Sequence, residues 1–107
     1  MSVIVTVRIE GDPAKFEEAA ESNRDAIHRI MEVAKGKGLI AHRWYGADGA
    51  FMAVDEWPDA ESFNAFFDGP EAQEDIGAVM QAAGVASPPQ ATVWRKLDVD
   101  DEYGWED

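Results

Sequence analysis

The chain has 107 residues and carries 9 basic against 22 acidic side chains, a formal net charge of -13 at pH 7 with a pI near 4.3. That length supports one domain, burying roughly 65% of its unfolded surface, and the lack of cysteine excludes disulfides, thiol catalysis and cysteine-ligated metal sites. An acidic surface repels phosphate backbones and anionic lipid, so neither nucleic acid nor membrane is expected as a partner. No run approaches about 20 apolar residues, and Met1-Ser2 leads into structure without a basic leader. The cytoplasm is the expected compartment.

Val3 to Ile9 alternates Val3, Val5, Val7 and Ile9 on one face with Ile4, Thr6 and Arg8 on the other, the period of a strand. Gly11-Asp12-Pro13 ends it and opens a helix, Asp12 suiting the N-cap and Pro13 the first turn. Phe16, Ala20, Asn23, Ile27, Ile30 and Ala34 then recur at steps of three and four, predicting one helix that runs to Gly36 and Gly38. Leu39 to Tyr45 reads as the second strand, Ala47-Asp48-Gly49 as a hairpin turn, and Ala50 to Trp57 as the third strand. A helix after Asp59 carries Phe63, Phe66 and Phe67 on one side. Gly69-Pro70 interrupts it, and a further helical segment brings Ile76, Val79, Met80 and Ala83 inward. Ala91 to Leu97 is the fourth strand.

The order is βαββαβ, which predicts an α+β, ferredoxin-like fold: a four-stranded antiparallel sheet with two helices on one face. Residues 1–97 form this domain. Residues 98–107 form an acidic tail, with six acids around Val99, Tyr103 and Trp105; it reads as a solvated tail or as one that docks on a partner subunit. Two helices cover one sheet face only. The other face holds Ile4, Thr6, Arg8, Leu39, Ala41, Arg43, Tyr45, Met52, Val54 and Glu56, too apolar to leave in water at ease. A homodimer through that open face, with Arg8 or Arg43 meeting Glu56, is the expected assembly.

Gly38-Leu39-Ile40, Phe51-Met52-Ala53-Val54-Asp55-Glu56-Trp57, Ala60-Glu61-Ser62-Phe63 and Gly69-Pro70 together resemble the antibiotic biosynthesis monooxygenase-like superfamily. The resemblance covers residues 3–97 and implies a dimeric α+β barrel. One branch degrades haem with an Asn on the first strand and a Trp and a His in the second helical region. Those positions fall here on Val7, Phe66 and Asp75, none of which matches, and Asp is a poor axial ligand to haem iron. Other branches are cofactor-free oxygenases of quinol-like or polycyclic aromatic substrates, in which the deprotonated substrate itself reacts with oxygen. No cofactor is implied for this chain.

The resemblance also puts a pocket between sheet and helices, near Val7. Alternation then turns Ile40, His42 and Trp44 inward. His42 is the candidate base for a phenolic or enolic substrate, or else a core histidine held by backbone or water. Asp55 shares its strand face with Phe51, Ala53 and Trp57; a carboxylate there is a candidate catalytic partner for His42, or pairs with Arg95, or lies at a wet edge. Asn23 interrupts the apolar helical stripe and either orients a ligand oxygen or bonds the neighbouring backbone. Trp44 and Phe66, with Trp57, Phe63 and Phe67, wall a flat hydrophobic ligand or make ordinary core. His28 lies off the stripe and reads as structural.

The two histidines and scattered acids match no metal-ligand spacing, and Asp98 to Glu102 lack the glycine turn of a calcium loop. No phosphate-cradling loop or serine nucleophile elbow is present. Two functions remain: a cofactor-independent monooxygenase on a hydrophobic aromatic substrate, and a non-catalytic domain that binds a small ligand or a partner protein.

Overall fold

A computed structural model describes residues 2–105; Met1 and the last two residues of the acidic tail, Glu106 and Asp107, lie outside the described residues. Four strands, β1 (Val3–Glu10), β2 (Ala41–Ala47), β3 (Ala50–Trp57) and β4 (Gln90–Trp94), form one antiparallel sheet in the order β2-β3-β1-β4. That is the ferredoxin-like arrangement. The chain's first strand and its third occupy the centre, where apolar alternation is strongest. Val5, Val7 and Ile9 of β1 face inward, as do Phe51, Ala53, Asp55 and Trp57 of β3.

Each helical crossover is split in two. The first comprises α1 (Pro13–Ser22) and α2 (Arg24–Gly36), and the second α3 (Ala60–Phe67) and α4 (Pro70–Ala82). Asp12 caps α1 by accepting from the Ala14 N–H at 2.9 Å, as its spacing predicts. The single first helix expected from the apolar stripe breaks at Asn23, whose backbone leaves helical geometry at φ -119°, ψ 40°. An asparagine side chain competes for backbone partners. Here both the Asn23 N–H and its Nδ2 donate to the Ala19 carbonyl, at 2.9 and 2.8 Å. Within α1 the buried face runs through Phe16 and Ala19, and Ala20, expected in the stripe, is only half-buried. Asp59 caps α3 through the Ser62 N–H at 2.8 Å. At the α3–α4 junction a Cβ on Gly69 would lie 2.6 Å from the Ala65 carbonyl, so no side chain fits there before Pro70 restarts the helix.

The hairpin closes with Ala47 opposite Ala50, the left-handed backbone falling on Gly49 at φ +77°. Strand β2 begins two residues later than expected, and this changes two assignments. Ile40 lies outside the strand and is 55% exposed instead of facing inward, while Leu39 packs on the core instead of belonging to the open face. Strand β4 ends at Trp94 and is exposed along its whole length, even at Ala91 and Val93, which pair with buried Val7 and Val5. The helices do not reach over it.

The core is aromatic at both ends. Trp57, fully buried, stacks on Phe66 at 5.5 Å and meets Phe63 edge-on at 5.9 Å, while Phe16 stacks on Phe51 at 4.4 Å beside Trp44 at 4.5 Å. Across the helix layer, Arg29 of α2 donates two parallel hydrogen bonds to Asp75 of α4, at 3.0 and 2.9 Å. Those bonds hold the Asp75 carboxyl below the usual carboxylate range and raise Arg29. A carboxyl whose folded pKa is depressed adds stability in full above its unfolded value of about 3.9, and that stability is lost as pH falls through the lower, folded value. Asp75→Asn should therefore show a lower urea midpoint than the parent at neutral pH, and the two midpoints should converge as the pH drops below about 4. A deficit unchanged down to pH 3 would contradict this.

Candidate functional site

The hairpin register sets His42 of β2 directly opposite Asp55 of β3. Both project to the helix side, and His42 Nδ1 lies 2.6 Å from Asp55 Oδ1. Asp55 is only 5% exposed, the one buried charged side chain among the described residues. Its other oxygen, Oδ2, accepts from Trp57 Nε1 at 3.1 Å, two residues along the same strand face. Of the alternatives open in the sequence, Asp55 takes His42 and not Arg95, because register and parity bring the first pair together while Arg95 lies beyond the end of β4.

A carboxylate only accepts, so the hydrogen of a neutral imidazole sits on Nδ1 and Nε2 is left as an acceptor. Among the described residues Nε2 has no hydrogen-bond partner, and no buried side-chain nitrogen or oxygen lacks one, so solvent reaches Nε2. The ring is thus fixed by a buried carboxylate on one side and presents an unengaged acceptor, Nε2, on the other.

This pair lines a cavity of about 100 Å³ between sheet and helices. Every other wall residue is apolar or aromatic. Trp44, Phe66 and Val7 are among them, as the sequence reading placed them, together with Ile30 of α2 and Ile76 and Met80 of α4. The Trp44 indole meets the His42 ring edge-on at 5.6 Å, which limits the tilt of the imidazole.

Asn23 is not in this wall. Its side chain serves the helix break, a local competition that spacing along a stripe does not reveal. His28 is exposed on α2, and Asp75 is engaged by Arg29. Met31, Leu39 and Pro89 line the cavity without having been singled out. Met31 sits four residues after Ile27, a signal the stripe contained; Pro89 approaches only through tertiary structure.

No family model and no curated protein matches the sequence. Solved structures do. A monooxygenase from the gene ActVA-Orf6 of Streptomyces coelicolor, in complex with nanaomycin D, superposes with a TM-score of 0.67 at 18% identity, over 94% of this chain and 93% of that one. SnoaB, a cofactor-independent oxygenase from Streptomyces nogalater, gives 0.63 at 17% identity over 94% and 98%. An antibiotic biosynthesis monooxygenase gives 0.63 at 10% identity over 89% and 98%. The chain has the antibiotic biosynthesis monooxygenase-like fold. At such identities the likeness establishes that fold alone, and the chemistry has to be argued from the side chains in the cavity. The monooxygenase-like sheet and crossovers place His42, Asp55, Trp44 and Phe66 around one space; Asn23 stands apart from it. No helix among the described residues is long and apolar enough to cross a membrane.

Proposed function

We propose that the protein is a cofactor-independent monooxygenase of a hydrophobic, hydroxyl-bearing aromatic substrate. One observation carries the reading: a hydrogen-bonded His42–Asp55 pair forms the only ionisable part of an otherwise apolar, ring-lined cavity. The substrate hydroxyl donates to His42 Nε2 and passes its proton there, the imidazolium being balanced by Asp55. The phenolate so formed, lying against hydrocarbon walls, is electron-rich enough to reduce dioxygen. Overall, a ring carbon bearing hydrogen becomes a carbonyl; one oxygen atom of O₂ enters the product, and the other leaves as water with the ring hydrogen and the hydroxyl proton. The protein supplies a base, shape and an apolar surround. The test is oxygen consumption with quinol-like substrates by the parent and by His42→Gln, which keeps a donor for Asp55 and removes the base.

The proposed active form is a homodimer closed through the open sheet face. On that face register forms three rows: Ala41–Glu56–Ile4–Trp94, Arg43–Val54–Thr6–Thr92 and Tyr45–Met52–Arg8–Gln90. Ile4, Tyr45 and Trp94 are 42%, 53% and 54% exposed there. Arg43 has no carboxylate partner among the described residues, despite the 22 acids in the chain. A second copy packed face to face about 10 Å away brings its own Glu56 to Arg43. Sedimentation should give two protomers, Arg43→Glu should dissociate them, and adding Glu56→Arg should restore association. A monomeric parent would refute the interface.

A second reading, a non-catalytic interaction domain, draws on the tail, where Tyr103 and Trp105 are 95% and 84% exposed. It is the reading left standing if no substrate consumes oxygen.

A further inference from the structure

We infer that the cavity selects a single-ring phenol or enol and rejects fused-ring systems, a conclusion that rests on the reading of His42 as the substrate's proton acceptor. The volume is about 100 Å³, whereas a dry protein cavity that takes up benzene measures roughly 150 Å³. One ring therefore fits only if some wall atoms give way, and two of the wall residues are suited to do so. Met31 and Met80, one on each of the two helices that roof the site, have unbranched side chains with three rotatable bonds that adopt new rotamers without moving the backbone.

The aromatic walls do not yield in that way. Phe66 is stacked on Trp57, Phe63 is stacked on Phe67 at 5.2 Å, and Phe16 is wedged between Trp44 and Phe51. The roof is tied as well: α2 is held to α4 by the paired Arg29–Asp75 bonds, and Lys37, the residue just after α2, pairs with Glu71 at 3.5 Å. Burying a second fused ring between sheet and helices strains those contacts, while a single ring needs only methionine rotamers. The polar demand is equally narrow. His42 Nε2 accepts one hydrogen bond, Asp55 is already engaged at both oxygens, and the wall offers no other ionisable group. The occupant presents one hydroxyl to His42 and hydrocarbon to the rest of the wall.

Calorimetric titration with p-cresol, toluene and 2-naphthol tests this on the full chain. Transfer from water alone favours the larger ring system, so an inverted order is diagnostic. The expected result is p-cresol bound at least tenfold more tightly than 2-naphthol, and also more tightly than toluene. His42→Gln should shrink the cresol-over-toluene preference while leaving the size preference in place. Met80→Ala, checked for native circular dichroism, enlarges the space and should bring 2-naphthol to within a few-fold of p-cresol. Naphthol binding as well as cresol in the parent would overturn the size limit while leaving the proposed oxygenase standing. Failure of all three to bind would overturn both.

Discussion

His42→Gln should lower kcat/KM for oxygen consumption by about 10²–10⁴-fold, the usual contribution of a positioned general base, while the melting temperature moves by only a few degrees. Glutamine spans a similar distance and still offers Asp55 a donor, so the buried carboxylate is not stranded. Alanine at the same position is the less informative variant. It leaves Asp55 with Trp57 Nε1 as its only side-chain partner among the described residues, and an under-satisfied buried polar group costs about 1–3 kcal/mol, mixing a stability loss with the kinetic one. Asp55→Asn should fall nearly as far as His42→Gln. An amide donating to Nδ1 forces the hydrogen onto Nε2, where the substrate's proton has to go. Parallel loss of activity and melting temperature in His42→Gln would assign the pair to core packing instead of catalysis.

Trp57→Ala carries the largest expected effect on the fold. The indole is fully buried, stacked on Phe66, against Phe63, and bonded to Asp55. Truncating a core tryptophan costs about 3–5 kcal/mol, and the total for a small domain is only about 5–15 kcal/mol. At about 4–8 °C for each kcal/mol in a domain near this size, the variant should melt well over 10 °C below the parent or fail to fold. Trp57→Phe separates the two roles, since it keeps a ring against Phe66 and removes the hydrogen bond to Asp55 Oδ2. Its deficit in urea unfolding should be smaller, and it should appear in oxygen consumption as well, because the carboxylate is then anchored by His42 alone. A loss below about 1 kcal/mol for Trp57→Ala would contradict the burial that makes the residue matter.

Much of the fold was legible because the two central strands announce themselves. Val3 to Ile9 and Ala50 to Trp57 alternate cleanly, and alternation alone put Asp55 on the inner face, a surprising place for a carboxylate. The same parity rule misplaced Ile40, since alternation says which side a residue takes only once the strand has begun, and β2 begins at Ala41. Register was illegible for a physical reason. Sliding β2 by two residues keeps every side chain on its face yet parts His42 from Asp55, so their pairing depends on where the hairpin turns. Asn23 shows the opposite limit. Its spacing fitted a continuous stripe, but the choice between continuing a helix and bonding Ala19 is made locally by the backbone. The cavity belongs to neither scale: side chains from β1, β2, β3 and all four helices line it, with Pro89 from the connector before β4.

The strand order has a consequence for how the molecule comes into being. β1 precedes the other elements in the chain and is central in the sheet, yet one of its flanks is filled by β4, which ends at Trp94. Trp94 Nε1 donates to Thr6 Oγ1 at 2.8 Å, joining residues 88 positions apart. Closing a loop that long precedes any reward from the contact, which slows folding in proportion to such non-local pairing. On the ribosome, β1 can hold β3 once the hairpin has emerged, but its second flank stays bare until Gln90 to Trp94 have emerged. For that interval the most apolar strand of the protein is an edge, the state in which sheets recruit strands from other chains. The formal net charge of -13 opposes the approach of a second copy over that interval.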